Sequence, residues 1–92
     1  MTNAVEDNSA RSRFEMQVDG HTAFINYLLN GKLRVLTHSE VPPELRGAGI
    51  AGRLTAGALE LVRARGEKVV PRCSYVHQYI EKNPQYQDLL AP

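Results

Sequence analysis

The sequence predicts a mixed α/β (α+β) fold in which an antiparallel strand meander leads into a long helix, a fourth strand and a C-terminal helix. Two hairpin dipeptides, Asp19-Gly20 and Asn30-Gly31, separate three segments rich in β-forming residues. A glycine-rich stretch then opens a segment with apolar residues at helical spacing. With 92 residues, the chain can form one domain with one modest core.

The first residues of the chain are polar and lack periodicity, so we expect a disordered arm at 1–12 and a folded domain at 13–92. Within that domain we expect strands at 13–18, 22–28 and 32–38. The third strand ends at Val41-Pro42-Pro43, because proline cannot donate a hydrogen bond to a strand ladder.

The central helix is expected from about Gly49 to Arg65, with Gly66 just past its end. Gly57 lies on the apolar stripe of this helix, where glycine costs about 1 kcal/mol relative to alanine. We therefore expect close packing at Gly57, the alternative being a tolerated imperfection. A fourth strand at 67–72, a short helix at 75–81 and a terminal turn or helix at 86–90 complete the fold.

Composition excludes several classes of function. The net charge of +1 provides no broad field for nucleic acid or a membrane surface, and no apolar run reaches transmembrane length. A single cysteine rules out an internal disulfide and predicts a cytoplasmic protein. The cysteine and the three histidines do not have the spacing of metal ligands, so we expect no metal site.

The stretch from Arg46 to Gly52 is the main functional signal, with three glycines where a helix begins. Glycine lets backbone N–H groups approach a ligand, and a helix N-terminus favours anions, so this stretch predicts a phosphate site. The alternative is a turn that only reverses the chain. The dinucleotide fingerprint needs a βαβ unit and an acidic residue about 20 residues on, whereas the segments before this loop read as antiparallel hairpins and Glu67 falls at the start of the next strand. A Walker loop needs Gly-Lys-Ser/Thr, which this stretch does not contain.

Arg46-Gly47-Ala48-Gly49-Ile50-Ala51 fits the pattern Arg/Gln-x-x-Gly-x-Gly/Ala at every position. This is the pyrophosphate loop of the GNAT acyl-CoA-dependent acyltransferases, and the chain resembles their small single-domain members over about residues 14–90. Further matching segments occur in order and spacing, namely His38-Ser39-Glu40-Val41-Pro42, Val70-Pro71-Arg72-Cys73-Ser74-Tyr75-Val76 and Asn83-Pro84-Gln85-Tyr86.

The resemblance implies a minimal GNAT-like fold with acetyl-CoA as cosubstrate. It implies that the third and fourth strands separate after Glu40 and that the pantetheine arm of acetyl-CoA lies between them. The backbone of Val41 then meets the pantetheine amides, and the loop holds the pyrophosphate. The cofactor-binding residues implied are Val41, Arg46, Gly47, Ala48, Gly49, Ile50, Ala51 and Gly52.

Cys73 follows the fourth strand, near the expected position of the thioester, and is a candidate acyl carrier in a two-step transfer. Such a role requires a lowered thiol pKa, for which Arg72 and the following helix N-terminus are candidates. The alternative is a small buried apolar residue. By resemblance, Glu40 and His38 are candidate bases and Tyr79 a candidate acid, although Tyr79 falls one position from the usual spacing. Glu40 can equally be a solvated carboxylate, and His38 a plain strand residue.

The leading function is an acetyl-CoA-dependent acyltransferase, specifically an N-acetyltransferase of unknown amine or protein acceptor. The main alternative is a non-catalytic acyl-CoA-binding or regulatory module, and a third is an interaction domain with an empty loop. The first helices that usually build the acceptor wall in this superfamily are missing, so the acceptor is small, exposed or bounded by a second subunit, or does not exist. A monomer and a homodimer are both open.

Overall fold

The structure is a computed structural model that describes residues 4–92. It contains one five-stranded sheet of order β1-β2-β3-β4-β5, in which the first four strands are antiparallel and β5 runs parallel to β4. The strands are β1 (Val5–Asn8), β2 (Arg13–Val18), β3 (His21–Asn30), β4 (Leu33–Glu40) and β5 (Lys68–Pro71), and the helices are α1 (Ile50–Ala64) and α2 (Ser74–Lys82). This architecture confirms the mixed fold.

The two expected hairpins join β2 to β3 and β3 to β4. Asp19 and Gly20 both have positive φ, at 49° and 78°, as a primed two-residue turn requires. In the second hairpin Gly31 has positive φ, at 61°, but Asn30 is the last residue of β3 and pairs with Leu33, so the turn lies one residue later than the Asn30-Gly31 dipeptide predicts. Local turn chemistry therefore sets the register of these three strands. β2 pairs with β3 from Arg13↔Asn26 to Val18↔His21, and β3 pairs with β4 from Phe24↔Glu40 to Asn30↔Leu33.

The expectation of a disordered arm is wrong for the part of it that the structure describes. Residues 5–8 form β1 and pair with β2 in the register Val5↔Met16 to Asn8↔Arg13. This segment is ordered by tertiary contacts rather than by its own composition, because Val5 packs against the core and the Asp7 carboxylate pairs with Arg34. Residues 1–3 of the expected arm lie outside the described residues.

Helix α1 packs on the sheet with Leu54, Ala58 and Val62 buried, and it ends at Ala64, with Arg65 as the C-cap and Gly66 following at φ 68°. Close packing at Gly57 is confirmed, because a Cβ there would lie 2.3 Å from Cγ2 of Val5. Helix α2 and the 3₁₀ turn at Pro84–Leu89 join the same buried apolar cluster as α1.

β4 and β5 separate earlier than expected. Their pairing runs from Leu33↔Lys68 to Leu36↔Pro71, after which the N–H groups of Arg72 and Cys73 both donate to the Leu36 carbonyl, each at 2.9 Å. The strands therefore part after Leu36 and not after Glu40, because β5 has already turned toward α2. A register shift between β3 and β4 occurs at the same level, and such irregularities bend a strand and increase its twist.

Among residues 4–92, no helix is both long enough and apolar enough to cross a membrane.

Candidate functional site

The glycine-rich loop is held at both ends by buried apolar side chains. Leu45 closes a short 3₁₀ turn before the loop and is 5% exposed, and Ile50 begins α1 and is 3% exposed. Between them, Gly47 and Gly49 adopt φ of 86° and 71°, a region that favours glycine. A Cβ at either glycine would have no atom within 4 Å, so the loop backbone is open on one side.

The N-terminus of α1 has the features of an anion site. Gly49 is the N-cap and offers no side-chain cap, and the first turn contains no acidic residue. Because the first amides of a helix lack partners within the helix, they are available to an anion at the positive end of the helix dipole. The Arg46 Nε donates to the Val41 carbonyl at 3.3 Å, which holds the guanidinium beside the residue that follows β4.

A cavity of about 240 Å³ lies beside this helix end. This volume is below the roughly 300–1,000 Å³ typical of sites that enclose a drug-sized ligand, so the cavity fits one part of a longer ligand. Its lining includes most of the predicted cofactor-binding residues but not Ala48, which is exposed. The lining residues are Val41, Leu45, Arg46, Gly47, Gly49, Ile50, Ala51, Gly52 and Tyr75.

Two of these lining residues, Leu45 and Tyr75, were not predicted as part of the site. Tyr75 is 39% exposed, and its hydroxyl lies 3.8 Å from the position of a Cβ on Gly52. Burial and the nearby Tyr79 raise the pKa of Tyr75, so its phenol stays protonated at neutral pH. The available sequence signal was its spacing of four residues from Tyr79 on one helix, which places the two rings on one face.

Cys73 is the residue just before α2, is 8% exposed and lies outside the cavity lining. Its Sγ lies 3.2 Å from the Ser39 Oγ on β4. Burial raises the pKa of the Cys73 thiol, but hydrogen bonding to Ser39 and the amides of Val76 and Tyr75 together hold it below its usual value. The helix N-terminus thus contributes as expected, whereas Arg72 is exposed and is not among the main causes.

The base candidates lie on the other side of the sheet from Cys73. Ser39 pairs in register with the buried Ile25, so its side chain is on the helix-covered face. Because successive strand residues alternate, His38 and Glu40 are on the opposite face. The His38 Nε2 and Glu40 Oε2 are 3.5 Å apart, and the side chains are 61% and 57% exposed. The structure therefore brings Ser39 close to Cys73, whereas the two predicted bases lie close to each other but on the opposite face of the sheet from Cys73.

Tyr79, the predicted acid, is half-buried in a row of three tyrosines. Its ring centroid lies 6.3 Å from that of Tyr75 and 6.0 Å from that of Tyr86. Tyr75 lines the cavity and Tyr79 does not, although a Tyr79 ring carbon lies as close to the position of a Cβ on Gly52, at 3.8 Å, as the Tyr75 hydroxyl does. The geometry thus offers the Tyr75 hydroxyl, rather than the Tyr79 hydroxyl, to a ligand in the cavity.

A family model described as "GCN5-related N-acetyl-transferase" matches residues 13–89. The chain belongs to this GNAT family. The match spans β2 to β5, the glycine-rich loop, both helices and the whole C-terminal 3₁₀ turn. The GNAT-like fold implied by the glycine-rich loop and the segments around it is therefore confirmed.

Curated relatives and a solved structure agree with the family assignment. The chain is 36% identical to Protein NATD1 of Xenopus tropicalis, an alignment that covers 96% of this chain and 85% of that protein. It is 37% identical to human Protein NATD1, with 96% and 82% covered. The solution structure of a GCN5-like protein from Staphylococcus aureus superposes with a TM-score of 0.73 at 25% identity, covering 99% of this chain and 91% of the other.

Proposed function

We propose that this GNAT protein is an acetyl-CoA-dependent acyltransferase, specifically an N-acetyltransferase of an amine or protein acceptor, with Cys73 as an acyl carrier. The observation that supports this best is the uncapped N-terminus of α1, bounded by Gly47 and Gly49 and open to the cavity. Several unpaired backbone N–H groups close together can bind the diphosphate of a ligand, provided that no carboxylate of the protein competes for them.

In the proposed complex, acetyl-CoA lies along the part of the β4 edge that is not paired with β5. The pyrophosphate of acetyl-CoA binds the amides of the 46–52 loop, and the pantetheine arm runs past Val41, which lines the cavity. Beyond Leu36, β4 is no longer paired with β5. An extended ligand can therefore add to this edge through backbone hydrogen bonds, as in β-augmentation.

The chemical proposal has two transfers. The Cys73 thiol first loses its proton to solvent, and the thiolate attacks the acetyl carbonyl carbon. A bond from carbon to the Cys73 sulfur forms, the bond from carbon to the CoA sulfur breaks, and the CoA thiolate takes up a proton. The acceptor amine, as its neutral base, then attacks the Cys73 thioester: a bond from carbon to nitrogen forms, the bond from carbon to the Cys73 sulfur breaks, and the proton that the nitrogen loses returns the Cys73 thiolate to a thiol.

Two tyrosines are candidates for the acid that protonates the CoA thiolate. We propose Tyr75, because its hydroxyl borders the cavity, whereas the role that resemblance gives to Tyr79 stays a prediction. Glu40 and His38 also stay predictions as bases for the acceptor amine, although their place on the opposite face of the sheet separates them from an amine that attacks the Cys73 thioester. A cytoplasmic location stays a prediction that rests on the single cysteine.

A non-catalytic acyl-CoA-binding or regulatory module is the second candidate. Its supporting observation is that Cys73 is 8% exposed and outside the cavity lining, while the base candidates are on the solvent-exposed face. Both candidates include acyl-CoA binding, so binding alone does not separate them.

Intact-mass measurement after incubation with acetyl-CoA tests the carrier step. We expect one added acetyl group on the wild-type chain and none on Cys73→Ala, because the chain has a single cysteine. Adding a panel of small amines should then discharge the adduct and yield N-acetylated amine. An adduct that forms but never discharges favours the regulatory module, and the absence of any adduct despite acetyl-CoA binding rules out the carrier route.

A further inference from the structure

Ser39 and Cys73 form a side-chain contact across the gap between the separated strands. Ser39 lies on β4 three residues beyond the last β4–β5 pair at Leu36, and Cys73 lies just beyond the end of β5. The two residues are 34 positions apart in the chain, yet Oγ and Sγ are 3.2 Å apart. The contact is thus formed by the topology of the two strands and not by local sequence.

The chemistry of this pair depends on the protonation of the sulfur. When Cys73 is a neutral thiol, either group can donate to the other. When it is a thiolate, only the Ser39 hydroxyl can donate, and a hydrogen bond to an anion is stronger than one between neutral groups. A donor at this position therefore stabilises the charged form of a sulfur that burial would otherwise keep neutral.

Other groups around the sulfur do not replace this donor. The amides of Tyr75 and Val76 at the start of α2 and the backbone N–H of Ser39 also hydrogen-bond to the sulfur, and each lowers the pKa of the thiol less than the Ser39 hydroxyl does. Arg72, the ionisable residue next to Cys73 in the chain, is exposed and is not among the main causes of the lowered pKa of the thiol. On β4, the ionisable neighbours of Ser39 are His38 and Glu40, which lie on the opposite face of the sheet. The Ser39 hydroxyl is the side-chain donor that this geometry gives to the thiolate.

We propose that Ser39 is the positioning residue of Cys73. Its hydroxyl holds the sulfur toward the gap in which the acyl arm is proposed to lie, and it favours the nucleophilic thiolate. This inference rests on the proposed role of Cys73 in acyl transfer, but the coupling between hydroxyl and thiol can be measured without acetyl-CoA.

The test is a pH titration of thiolate ultraviolet absorbance on the full-length chain. Each variant is corrected with the same chain carrying Cys73→Ala, so that the difference reports a single sulfur. Ser39→Ala should raise the titration midpoint and lower the thiolate fraction at neutral pH by about tenfold, as expected for one hydrogen bond to an anion.

The variants Ser39→Thr and Ser39→Val, whose new side chains are nearly isosteric with each other, separate the effect of the hydroxyl from that of the side-chain volume. Thr should keep the wild-type midpoint and Val should raise it.

Ser74→Ala is the matched control, since it removes an exposed hydroxyl next to Cys73 in the chain. It should leave the midpoint unchanged. Coincident curves for the wild type and Ser39→Ala, or equal shifts for Ser39→Thr and Ser39→Val, would overturn the inference.

The titration midpoints and the acetylation of Cys73 together distinguish a failure of the inference about Ser39 from a failure of the carrier proposal. If the wild type acquires no acetyl group but Ser39→Ala raises the midpoint, the role of Ser39 stands and the carrier step fails. If acetylation occurs at equal rates in the wild type and Ser39→Ala with coincident midpoints, the carrier step stands and the inference about Ser39 fails.

Discussion

At the scale of single residues, the positive φ of Gly49 links backbone conformation to the proposed phosphate site. We expect Gly49→Glu to weaken acetyl-CoA binding at least about tenfold, because the new carboxylate lies at the helix end proposed to hold the pyrophosphate. Gly66→Glu is the matched control. Gly66 has φ 68° and equally open space but lies at the other end of α1, so it carries the same strain without affecting binding.

Isothermal titration of the two variants with acetyl-CoA measures this difference. Equal losses of affinity would show that backbone strain alone is responsible, and unchanged affinity in Gly49→Glu would remove the phosphate-loop assignment.

Two phenylalanine substitutions separate the roles of the neighbouring tyrosines. Tyr75→Phe keeps the ring that lines the cavity but removes its hydroxyl, so we expect the rate of acetyl transfer to fall at least about tenfold, with acetyl-CoA binding nearly unchanged. Tyr79→Phe should have a smaller effect, because Tyr79 is not among the residues that line the cavity. Rapid-quench measurement of Cys73 acetylation checks both. A larger loss in Tyr79→Phe would instead support the assignment made from resemblance.

The residues of the glycine loop were predictable from sequence because their role depends on backbone conformation and local order in the chain. Ser39 and Tyr75 were not assigned a role. Ser39 meets Cys73 only because β4 and β5 separate after Leu36, and the exact point of separation depends on where β5 turns toward α2. No local pattern around Ser39 encodes that distance.

At the scale of secondary-structure elements, the contact between Gly57 of α1 and Val5 of β1 yields a stability prediction. Gly57→Ala improves helix propensity by about 1 kcal/mol. We nevertheless expect it to lower the free energy of unfolding by about 1–3 kcal/mol, because the new Cβ would lie 2.3 Å from Cγ2 of Val5. Gly52→Ala is the control in the same helix, because its Cβ would meet only ordinary contacts at 3.8 Å.

Urea unfolding of the two variants, together with the double variant Val5→Gly/Gly57→Ala, checks this prediction. The double variant should recover part of the loss from Gly57→Ala. If Gly57→Ala stabilises the protein as Gly52→Ala is expected to, then β1 does not pack tightly on α1.

Elements bounded by local signals were predictable, and the edge strand was not. Asp19-Gly20 marks the first hairpin because both residues adopt the positive φ of a primed turn, and Asn30-Gly31 marks the second to within one residue because Gly31 supplies the positive φ while Asn30 still pairs in β3. β1 contains one apolar residue, Val5, and its order depends on pairing with β2 and on ion pairs with distant residues. Composition alone could not distinguish such a segment from a disordered arm.

At the scale of the whole molecule, Asp7 connects β1 to three other elements. Its carboxylate accepts a hydrogen bond from the Tyr27 hydroxyl on β3, and it pairs with Arg34 on β4 and with Arg65 at the end of α1. Arg34 also pairs with Glu67 at 2.9 Å and is 5% exposed. A partly formed buried network of this kind is costly, because it leaves a charge without its partner.

The Asp7 network makes stability dependent on pH. Burial raises the pKa of Asp7, but the hydrogen bonds from Tyr27 and Arg65 and the charge of Arg34 together lower it by a larger amount. The net pKa of Asp7 is therefore below its ordinary value. The stabilisation is therefore fully present above the unfolded-state pKa and is lost as pH falls through the lower folded-state pKa.

Asp7→Asn should accordingly lower the free energy of unfolding by about 1–3 kcal/mol at neutral pH, with a smaller difference from the wild type in acid. Denaturant unfolding at several pH values measures this. Asp88→Asn removes an exposed partner of Arg63 and should change stability little. A pH-independent difference for Asp7→Asn would contradict the account of the network.

The most direct test of the central claim is a calorimetric titration of the purified chain with acetyl-CoA, with NAD as the control. The account predicts saturable binding of acetyl-CoA, weakened by Gly49→Glu, and no binding of NAD. The absence of acetyl-CoA binding would mean that the glycines only shape the start of α1, and the enzyme and regulatory-module proposals would both fail.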